Sequence, residues 1–296
     1  MEYAAAAMID RVVSLLAGTL FLRPYVAAFF IVYLLGCSLH LGMKRALLFG
    51  LIGYGIAWLS ELSSIHTGIP YGDYFYIETT RGQELWVLGV PLMDSASYVF
   101  LAYASYSMAL LVTAPVILVR KLPYLLETRA LRSGLSVRLL GALFFVYLDI
   151  IIDPVALQGS RWFLGQIYGY PEQGVYFGVP ISNFIGWFIV GFLMICALQR
   201  IDAFLYRRNA PDCAGYAYPW RYLIGPALYG SVLLFNLAVT FAIEDYTLGW
   251  VGIFIILMPA VLLVRLVRMK YLHGANDEAL KAHLRDFPEA AVPGSQ

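Results

Sequence analysis

Charged side chains are scarce in this chain of 296 residues. Aspartate, glutamate, lysine and arginine make up only 13% of the sequence, and the formal net charge at pH 7 is +1. A protein that binds nucleic acid usually carries a clear excess of positive charge to meet the phosphates. We therefore expect no nucleic-acid partner.

Cysteine and histidine are rare too, and neither forms a pattern typical of a metal site. The three cysteines, Cys37, Cys196 and Cys213, have no metal-type spacing, and the first two lie in apolar runs. The four histidines are dispersed along the chain. The sequence thus favours neither a disulfide framework nor a metal centre. It also contains no nucleotide-binding motif, so we predict that the protein uses no cofactor.

Hydrophobic residues, in contrast, are in excess. They make up 61% of the sequence, and the mean hydropathy is +0.73. A soluble domain rarely exceeds about half apolar residues. Several stretches of about 16–25 residues are nearly free of charge, which is enough for a helix to cross a hydrocarbon core of ~30 Å. The predicted spans are Pro24–Leu41, Ala46–Leu62, Ser95–Val119, Leu139–Pro154, Ile181–Gln199, Tyr222–Ile243 and Leu248–Val264.

These spans predict an all-α, polytopic transmembrane bundle of about seven helices. The shorter apolar run Val12–Leu22 is bracketed by Arg11 and Arg23. We interpret residues 1–23 as an interfacial or partly inserted segment, with an eighth span as the alternative. Residues 1–270 then form the membrane domain, and residues 271–296 form a polar cytoplasmic tail.

Basic residues are distributed unevenly between the two sides of this bundle. Sixteen of the twenty lysines and arginines lie in alternate connections and in the tail, whereas the other connections contain only Arg81 and Arg161. The positive-inside rule assigns the basic side to the cytoplasm. We therefore expect a multi-pass protein of the cell membrane with a cytoplasmic C-terminus. Two long structured loops, residues 63–94 and 155–180, then lie on the non-cytoplasmic side.

Four carboxylates lie in or beside the spans near these loops. Asp149 and Asp153 are four residues apart, which places them on one face of a helix that Pro154 then ends or kinks. Glu61 lies near the end of the second span, and Asp94 lies beside the start of the third. Carboxylates at membrane depth are costly and usually functional, although a single one also fits a helix cap or a partner for tyrosine.

The same loops contain several short motifs. These are Arg23-Pro24-Tyr25, Glu61 with Thr67-Gly68-Ile-Pro70-Tyr71-Gly72-Asp73-Tyr74-Phe-Tyr76, Gly89-Val-Pro91, Asp149-xxx-Asp153-Pro154 and Gly178-Val-Pro180-xx-Asn183-Phe184-xx-Trp187. In this order they resemble the CruF-type carotenoid 1,2-hydratase family, which comprises bisanhydrobacterioruberin and γ-carotene hydratases. The resemblance runs from roughly residue 23 to residue 268, and its specific motifs lie in the loops.

The resemblance implies an enzyme of carotenoid biosynthesis that adds water across the terminal C1,2 double bond of an acyclic end group. Such a reaction protonates C2 and captures water on a tertiary cation at C1. We hypothesise that Glu61, Asp149 and Asp153 are the acid and base residues. The residues expected to position water and carboxylates are Asp73, Asp94 and Asn183, and those expected to bind the polyene are Tyr71, Tyr74, Trp162, Tyr176 and Trp187. The implied partners are the lipid bilayer, the acyclic carotenoid, water and other membrane enzymes of the same pathway.

Other functions compete with this hypothesis. A carotenoid end-group cyclase begins with the same protonation, so the sequence does not separate it from a hydratase. A membrane prenyltransferase needs a second aspartate-rich cluster to hold Mg²⁺ and a diphosphate, and none accompanies Asp149 and Asp153. A retinal protein needs a lysine in its last span, and Leu248–Val264 contains none. A transporter or a non-enzymatic carotenoid scaffold stays open, although no internal repeat supports a transporter.

Overall fold

The structure is a computed structural model that describes residues 2–119, 122–208, 210, 218, 220–273 and 277–290. Within these ranges the protein is mostly helical, as the sequence predicts. The helices are α1 (Glu2–Leu22), α2 (Pro24–His40), α3 (Met43–Thr67), α4 (Leu92–Thr113), α5 (Arg129–Arg132), α6 (Leu135–Ala156), α7 (Ile181–Arg207), α8 (Arg221–Ala242), α9 (Tyr246–His273) and α10 (Asp277–Asp286). Cys37 and Cys196 are free thiols, and Cys213 lies outside the described ranges.

Short strands pair within the connections. They are β1 (Phe75–Tyr76), β2 (Trp86–Val87), β3 (Val90–Pro91), β4 (Val116–Val119), β5 (Leu122–Leu125) and β6 (Tyr168–Gly169). The antiparallel pairs are β1 with β6, β2 with β3, and β4 with β5. The connections also contain two 3₁₀ turns. Glu78–Thr80 lies between β1 and β2, and Gly159–Arg161 lies between α6 and β6.

Among the described residues, six helices are long and apolar enough to cross a membrane: α3, α4, α6, α7, α8 and α9. The pair α1 and α2 is bent by 92°, and the count rises to seven if this pair makes one span. Arg23 separates the two helices, and Pro24 opens α2 because a proline suits a first turn and disfavours helix before it. The prediction of about seven spans is confirmed, and the described chain offers no eighth.

Several helix boundaries differ from the predicted spans. The helix expected over Ser95–Val119 ends at Thr113, and the residues after Pro115 form β4 instead. Proline disfavours helical geometry in the residue before it, and the β-branched residues that follow favour a strand. Helix α6 begins earlier than expected, at Leu135 rather than Leu139.

Helix α4 is the centre of the bundle. It contacts α2, α3, α6, α7 and α8, and every residue from Tyr98 to Leu111 is buried. Small residues such as Ala104 and Ala109 allow neighbouring helices to approach closely. Helix α9 lies at the periphery, where apolar side chains such as Phe254 are exposed and suited to contact lipid.

One end of the bundle, here called the loop end, brings together the helix termini that position the site. Helices α3, α6 and α8 end there, and α2, α4, α7 and α9 begin there. The first loop (residues 68–91) and the second loop (residues 157–180) cover it. Strands β1 and β6 pair Tyr76 with Tyr168 and so join the two loops.

The opposite end contains the polar tail. Its helix α10 packs against the connection between β5 and α5, where His283 Nδ1 lies 2.7 Å from the carbonyl oxygen of Glu127. Phe287 is buried beneath the guanidinium groups of Arg129 and Arg132. Over residues 277–290, therefore, the tail is a packed part of the fold.

Candidate active site

A cavity of about 130 Å³ lies inside the loop end. This is several times the roughly 10–15 Å³ that a single water needs. Four carboxyl side chains line it, namely those of Glu61, Asp94, Asp149 and Asp153. The remaining wall is largely aromatic and contains Tyr25, Phe29, Tyr71, Tyr74, Tyr76, Tyr98, Phe100, Trp162, Tyr168, Tyr170, Trp187 and Phe235.

Asp149 and Asp153 project from the last turns of α6 on one face, as their spacing predicts. The Asn183 side chain, in the first turn of α7, bridges them. Its Nδ2 donates to Asp149 Oδ2 at 2.8 Å and to Asp153 Oδ2 at 3.0 Å. All three side chains are buried. Pro154 is accommodated inside α6, which ends two residues later at Ala156.

The two aspartates differ in how completely their oxygens are bonded. Asp153 also accepts hydrogen bonds from the hydroxyls of Tyr168 and of Tyr170, the latter at 2.8 Å. Asp149 Oδ1 is buried and, within the described part of the chain, has no hydrogen-bond partner. Asp149 is therefore the aspartate with an oxygen left available to a molecule in the cavity.

The tyrosines that hold Asp153 come from the second loop. Burial raises the pKa of the Tyr168 and Tyr170 phenols well above the ordinary tyrosine value. Both groups consequently stay protonated and act as hydrogen-bond donors at physiological pH. Because Tyr168 is paired with Tyr76 across β1 and β6, the same short sheet serves a second carboxyl group.

That second carboxyl group belongs to Asp94, whose Oδ2 accepts a hydrogen bond from the Tyr76 hydroxyl at 2.6 Å. Glu61, near the end of α3, is buried and lies close enough to Asp94 for their charges to interact. Ser95 Oγ donates to Glu61 Oε2 at 2.9 Å. The cavity thus has two carboxyl pairs, one on α6 and one shared by α3 and α4.

Positive charge is nearly absent from this cavity. Among its described lining residues, Arg23 is the only basic one. Its guanidinium bonds to the carbonyl oxygen of Leu164 and to Glu84 Oε1, the latter at 3.0 Å. Glu84 is fully buried in this ion pair. The positive charge of Arg23 is therefore already paired with groups of the first and second loops.

Most of the residues proposed from the sequence lie together in this cavity. Tyr71, Tyr74, Trp162 and Trp187 line it beside the four carboxyl groups and Asn183. Tyr98 and Trp187 stack with ring centroids 4.7 Å apart. These rings give the cavity a flat aromatic wall.

Two residues proposed from the sequence lie elsewhere. Asp73 is exposed in the turn next to Gly68, outside the cavity lining. Tyr176 packs against Phe177 and Phe184 and also falls outside the lining. Both residues are close in sequence to cavity residues, and the prediction relied on that proximity. The loop backbone turns sharply at glycines with positive φ angles, and the sequence did not show where these turns direct the chain.

Comparison with known proteins identifies the family. Residues 12–259 match the family described as carotenoid biosynthesis protein. This chain belongs to that family. Bisanhydrobacterioruberin hydratase of Haloarcula japonica is a distant relative, 32% identical over 168 residues, which cover 55% of this chain and 47% of the relative. The chain thus spans about half the length of the curated relative that it matches. No solved structure matches it.

This carotenoid biosynthesis protein has functional-site candidates that the sequence did not single out. Tyr76, Tyr168 and Tyr170 bond the carboxyl groups directly, and Ser95 bonds Glu61. From the sequence alone, loop tyrosines are indistinguishable from an aromatic belt at the membrane surface. The available signal was the repeated spacing Tyr74-Phe-Tyr76 and Tyr168-Gly-Tyr170, typical of strands that turn alternate side chains to one face.

Proposed function

We propose that this carotenoid biosynthesis protein adds water across the terminal C1,2 double bond of an acyclic carotenoid end group. The observation that supports this most strongly is the combination of two carboxyl pairs with an aromatic wall in one cavity. Alkene hydration requires an acid, a base and a surface that tolerates a carbocation. The distant relationship to a protein named as a hydratase supports the same reaction class.

The reaction balances without a redox partner. A carboxylic acid transfers its proton to C2, and the π electrons form the new C–H bond, which leaves a tertiary cation at C1. A water oxygen then bonds to C1, and a carboxylate receives the proton that this water loses. The product is a tertiary alcohol that contains one more water than the substrate.

The hydrogen bonds favour a division of roles between the carboxyl groups. Asp149 transfers the proton, since its Oδ1 is buried and without a partner in the described chain. Asp153 has donors on both oxygens and, together with Asn183, holds Asp149 in position. Glu61, on a different helix, stabilises the cation and receives the proton from water.

The aromatic wall supports the cationic intermediate. The faces of aromatic rings attract cations through their quadrupole, and Trp is the most effective of them. The stacked Tyr98 and Trp187 lie in the same lining as Asp149 and Glu61. Their ring faces supply apolar contact to the end group and an electron-rich surface for the cation.

The decisive experiment incubates the purified protein with lycopene in detergent, with no other protein present. We expect products whose mass increases by that of water. Asp149→Asn should lower the rate by at least roughly 10²-fold, the usual scale for loss of a general acid. The matched control is Glu172→Gln, an exposed carboxyl group in the second loop, which should leave the rate unchanged.

The same measurement distinguishes the competing functions. Products of unchanged mass would show cyclisation and overturn hydration. Unaltered lycopene with the purified wild type would favour a scaffold or transporter. A prenyltransferase has weak support, because it must bind a diphosphate and the one basic residue in the described lining, Arg23, is paired with Glu84.

A further inference from the structure

The cavity has a polar side and an apolar side. The carboxyl groups of Glu61, Asp149 and Asp153 lie on α3 and α6, and that of Asp94 lies in the first turn of α4. The side formed by α2, the middle of α4 and α8 is mainly apolar and aromatic, with Tyr25 and Phe29 from α2, Phe100 from α4 and Phe235 from α8, and with Asn236 as the polar residue that α8 adds. Trp162 of the second loop completes it. We call these five residues the aromatic row.

The rings of the aromatic row are in continuous contact. Tyr25 stacks on Phe235 with centroids 5.1 Å apart and planes inclined by 18°. Phe29 contacts Phe235 at 5.9 Å and Phe100 at 5.6 Å. Trp162 lies 6.2 Å from Tyr25, and its Nε1 donates to the carbonyl oxygen of Val155, which fixes the indole. The five rings of the aromatic row therefore hold one another in fixed positions.

The aromatic row runs from the cavity to the outside of the bundle. Tyr25, Phe29 and Phe235 are only half-buried. Phe163, whose ring lies 5.7 Å from Tyr25, is 59% exposed. Phe235 lies roughly 10 Å below the end of α8 at 1.5 Å per residue, within the depth of the hydrocarbon core. The row consequently reaches the surface where lipid contacts α2 and α8.

We infer that the aromatic row binds the conjugated chain of the substrate and admits it from the bilayer between α2 and α8. The inference rests on the proposed function, which puts the terminal double bond beside Asp149. The rest of an acyclic carotenoid is a long, flat, wholly apolar polyene. Such a chain leaves the cavity on the side that is richest in apolar and aromatic groups, and its π faces match aromatic faces. A substrate dissolved in lipid also needs an entrance at hydrocarbon depth.

Two substrates distinguish binding of the polyene by the aromatic row from the reaction at the carboxyl groups. One is lycopene, and the other is a short acyclic terpene that has the same trisubstituted terminal double bond but no conjugated chain. Phe235→Ala should raise the KM for lycopene by about tenfold, and it should lower turnover of the short terpene far less than it lowers turnover of lycopene. Phe235→Leu, which keeps an apolar side chain of similar size, provides a milder variant if Phe235→Ala folds poorly. The control is Phe254→Ala, since Phe254 is 70% exposed on α9 and lies outside the cavity lining.

A binding measurement makes the test independent of catalysis. In the Asp149→Asn background, lycopene added to nanodiscs should give a saturable induced circular dichroism signal in its polyene absorption band. Adding Phe235→Ala should abolish or weaken this signal, and adding Phe254→Ala should not. A row that only packs against lipid acyl chains would give the same signal with Phe235 or with alanine, which would overturn the inference.

Failure of this inference can be told apart from failure of the proposed function. If the wild type hydrates lycopene and Phe235→Ala slows both substrates equally, or neither, the inference is wrong while the function stands. If the wild type hydrates neither substrate, the proposed function fails. The dichroism measurement then decides whether the aromatic row binds polyene at all.

Discussion

At the scale of single residues, the properties of the site depend on which groups donate hydrogen bonds to each carboxyl oxygen. Asp149 and Asp153 have the same side chain and adjoin each other on α6. Asp153 accepts hydrogen bonds from two tyrosines and Asn183, whereas Asp149 accepts one from Asn183. Two buried carboxyl groups this close favour sharing a proton, because like charges repel strongly in a medium of low dielectric constant. If the proposed function holds, the tyrosines therefore help to determine which of the two aspartates acts on the substrate.

Removing one tyrosine hydroxyl should test this dependence. Tyr168→Phe deletes a donor to Asp153 Oδ1 and leaves the ring in place. We expect a fall in kcat of roughly tenfold, since a buried charged acceptor loses a hydrogen bond worth about 1.5–3 kcal/mol, part of which the remaining donors offset. KM should change little. Tyr176→Phe is the matched control, because Tyr176 lies outside the cavity lining, and an equal effect of both substitutions would contradict the assignment.

The raised pKa of Tyr168 predicts that the effect of Tyr168→Phe on activity does not change between neutral and alkaline pH. Burial raises the pKa of Tyr168 and Tyr170 well above the ordinary value of 10.0. A phenol with a raised pKa keeps its proton, and so its ability to donate, at a pH where an exposed tyrosine is half ionised. The ratio of wild-type to Tyr168→Phe activity should therefore be the same at about pH 8 and about pH 10. A ratio that falls towards one at the higher pH would show that Tyr168 ionises in the ordinary range.

Single residues also show what the sequence can and cannot reveal. Asp149 and Asp153 were predictable as neighbours because helical spacing alone puts them on one face. Their meeting with Glu61 and Asp94 was foreseeable from helix ends that share one side of the membrane. Asp73 lies away from the cavity because a loop's path depends on tertiary contacts such as the β1–β6 pair. No local pattern encodes that pairing.

At the scale of secondary-structure elements, the bend between α1 and α2 is tied to the first and second loops. Arg23 sits at the bend and pairs with Glu84, and their side chains are only 4% and 0% exposed. Leu85 N also donates to Thr19 Oγ1 of α1 at 2.8 Å. A Cβ on Gly18 would collide with the backbone of Gln83, so α1 lies directly on the first loop. These contacts close one side of the cavity.

Breaking the ion pair should loosen this closure. Glu84→Gln keeps the shape of the side chain and leaves the buried guanidinium of Arg23 without its counter-charge, a loss on the order of 3 kcal/mol. We expect a lower Tm for the protein in detergent. Glu78→Gln is the control in the same loop, because Glu78 and its partner Arg81 are both more than half exposed and contribute little. Equal Tm values for the two variants would refute a structural role for the buried pair.

The elements were predictable where lipid dictates them and less so elsewhere. Apolar length identified the helices because an unpaired backbone is intolerable in hydrocarbon. The end of α4 was missed because β4 is as apolar as the helix before it, and only Pro115 marks the change. The sequence did not predict that α10 packs against the bundle, because the helix is polar and the residues that it contacts are far away in sequence.

At the scale of the whole molecule, the two ends of the bundle treat charge differently. The end opposite the loops holds basic residues in buried pairs, such as Arg45 with Asp202 at 2.5 Å and Arg132 with Glu127 at 2.6 Å. Lys270 Nζ donates to the carbonyl oxygens that end α4, including that of Ala114 at 2.8 Å. The loop end instead holds carboxyl groups bonded by tyrosines and an asparagine. A concentration of lysine and arginine at one end is the pattern that the positive-inside rule associates with the cytoplasmic side.

This asymmetry predicts the orientation of the bundle. We expect the loop end on the non-cytoplasmic side and the tail in the cytoplasm, because most lysines and arginines lie on the tail side. Single cysteines in a Cys37→Ala, Cys196→Ala, Cys213→Ser background test it through labelling by a membrane-impermeant maleimide. Glu172→Cys, exposed in the second loop, should react in intact cells, and Lys281→Cys, exposed on α10, should react only after permeabilisation. The reverse pattern would invert the topology and place proton delivery to the substrate on the cytoplasmic side.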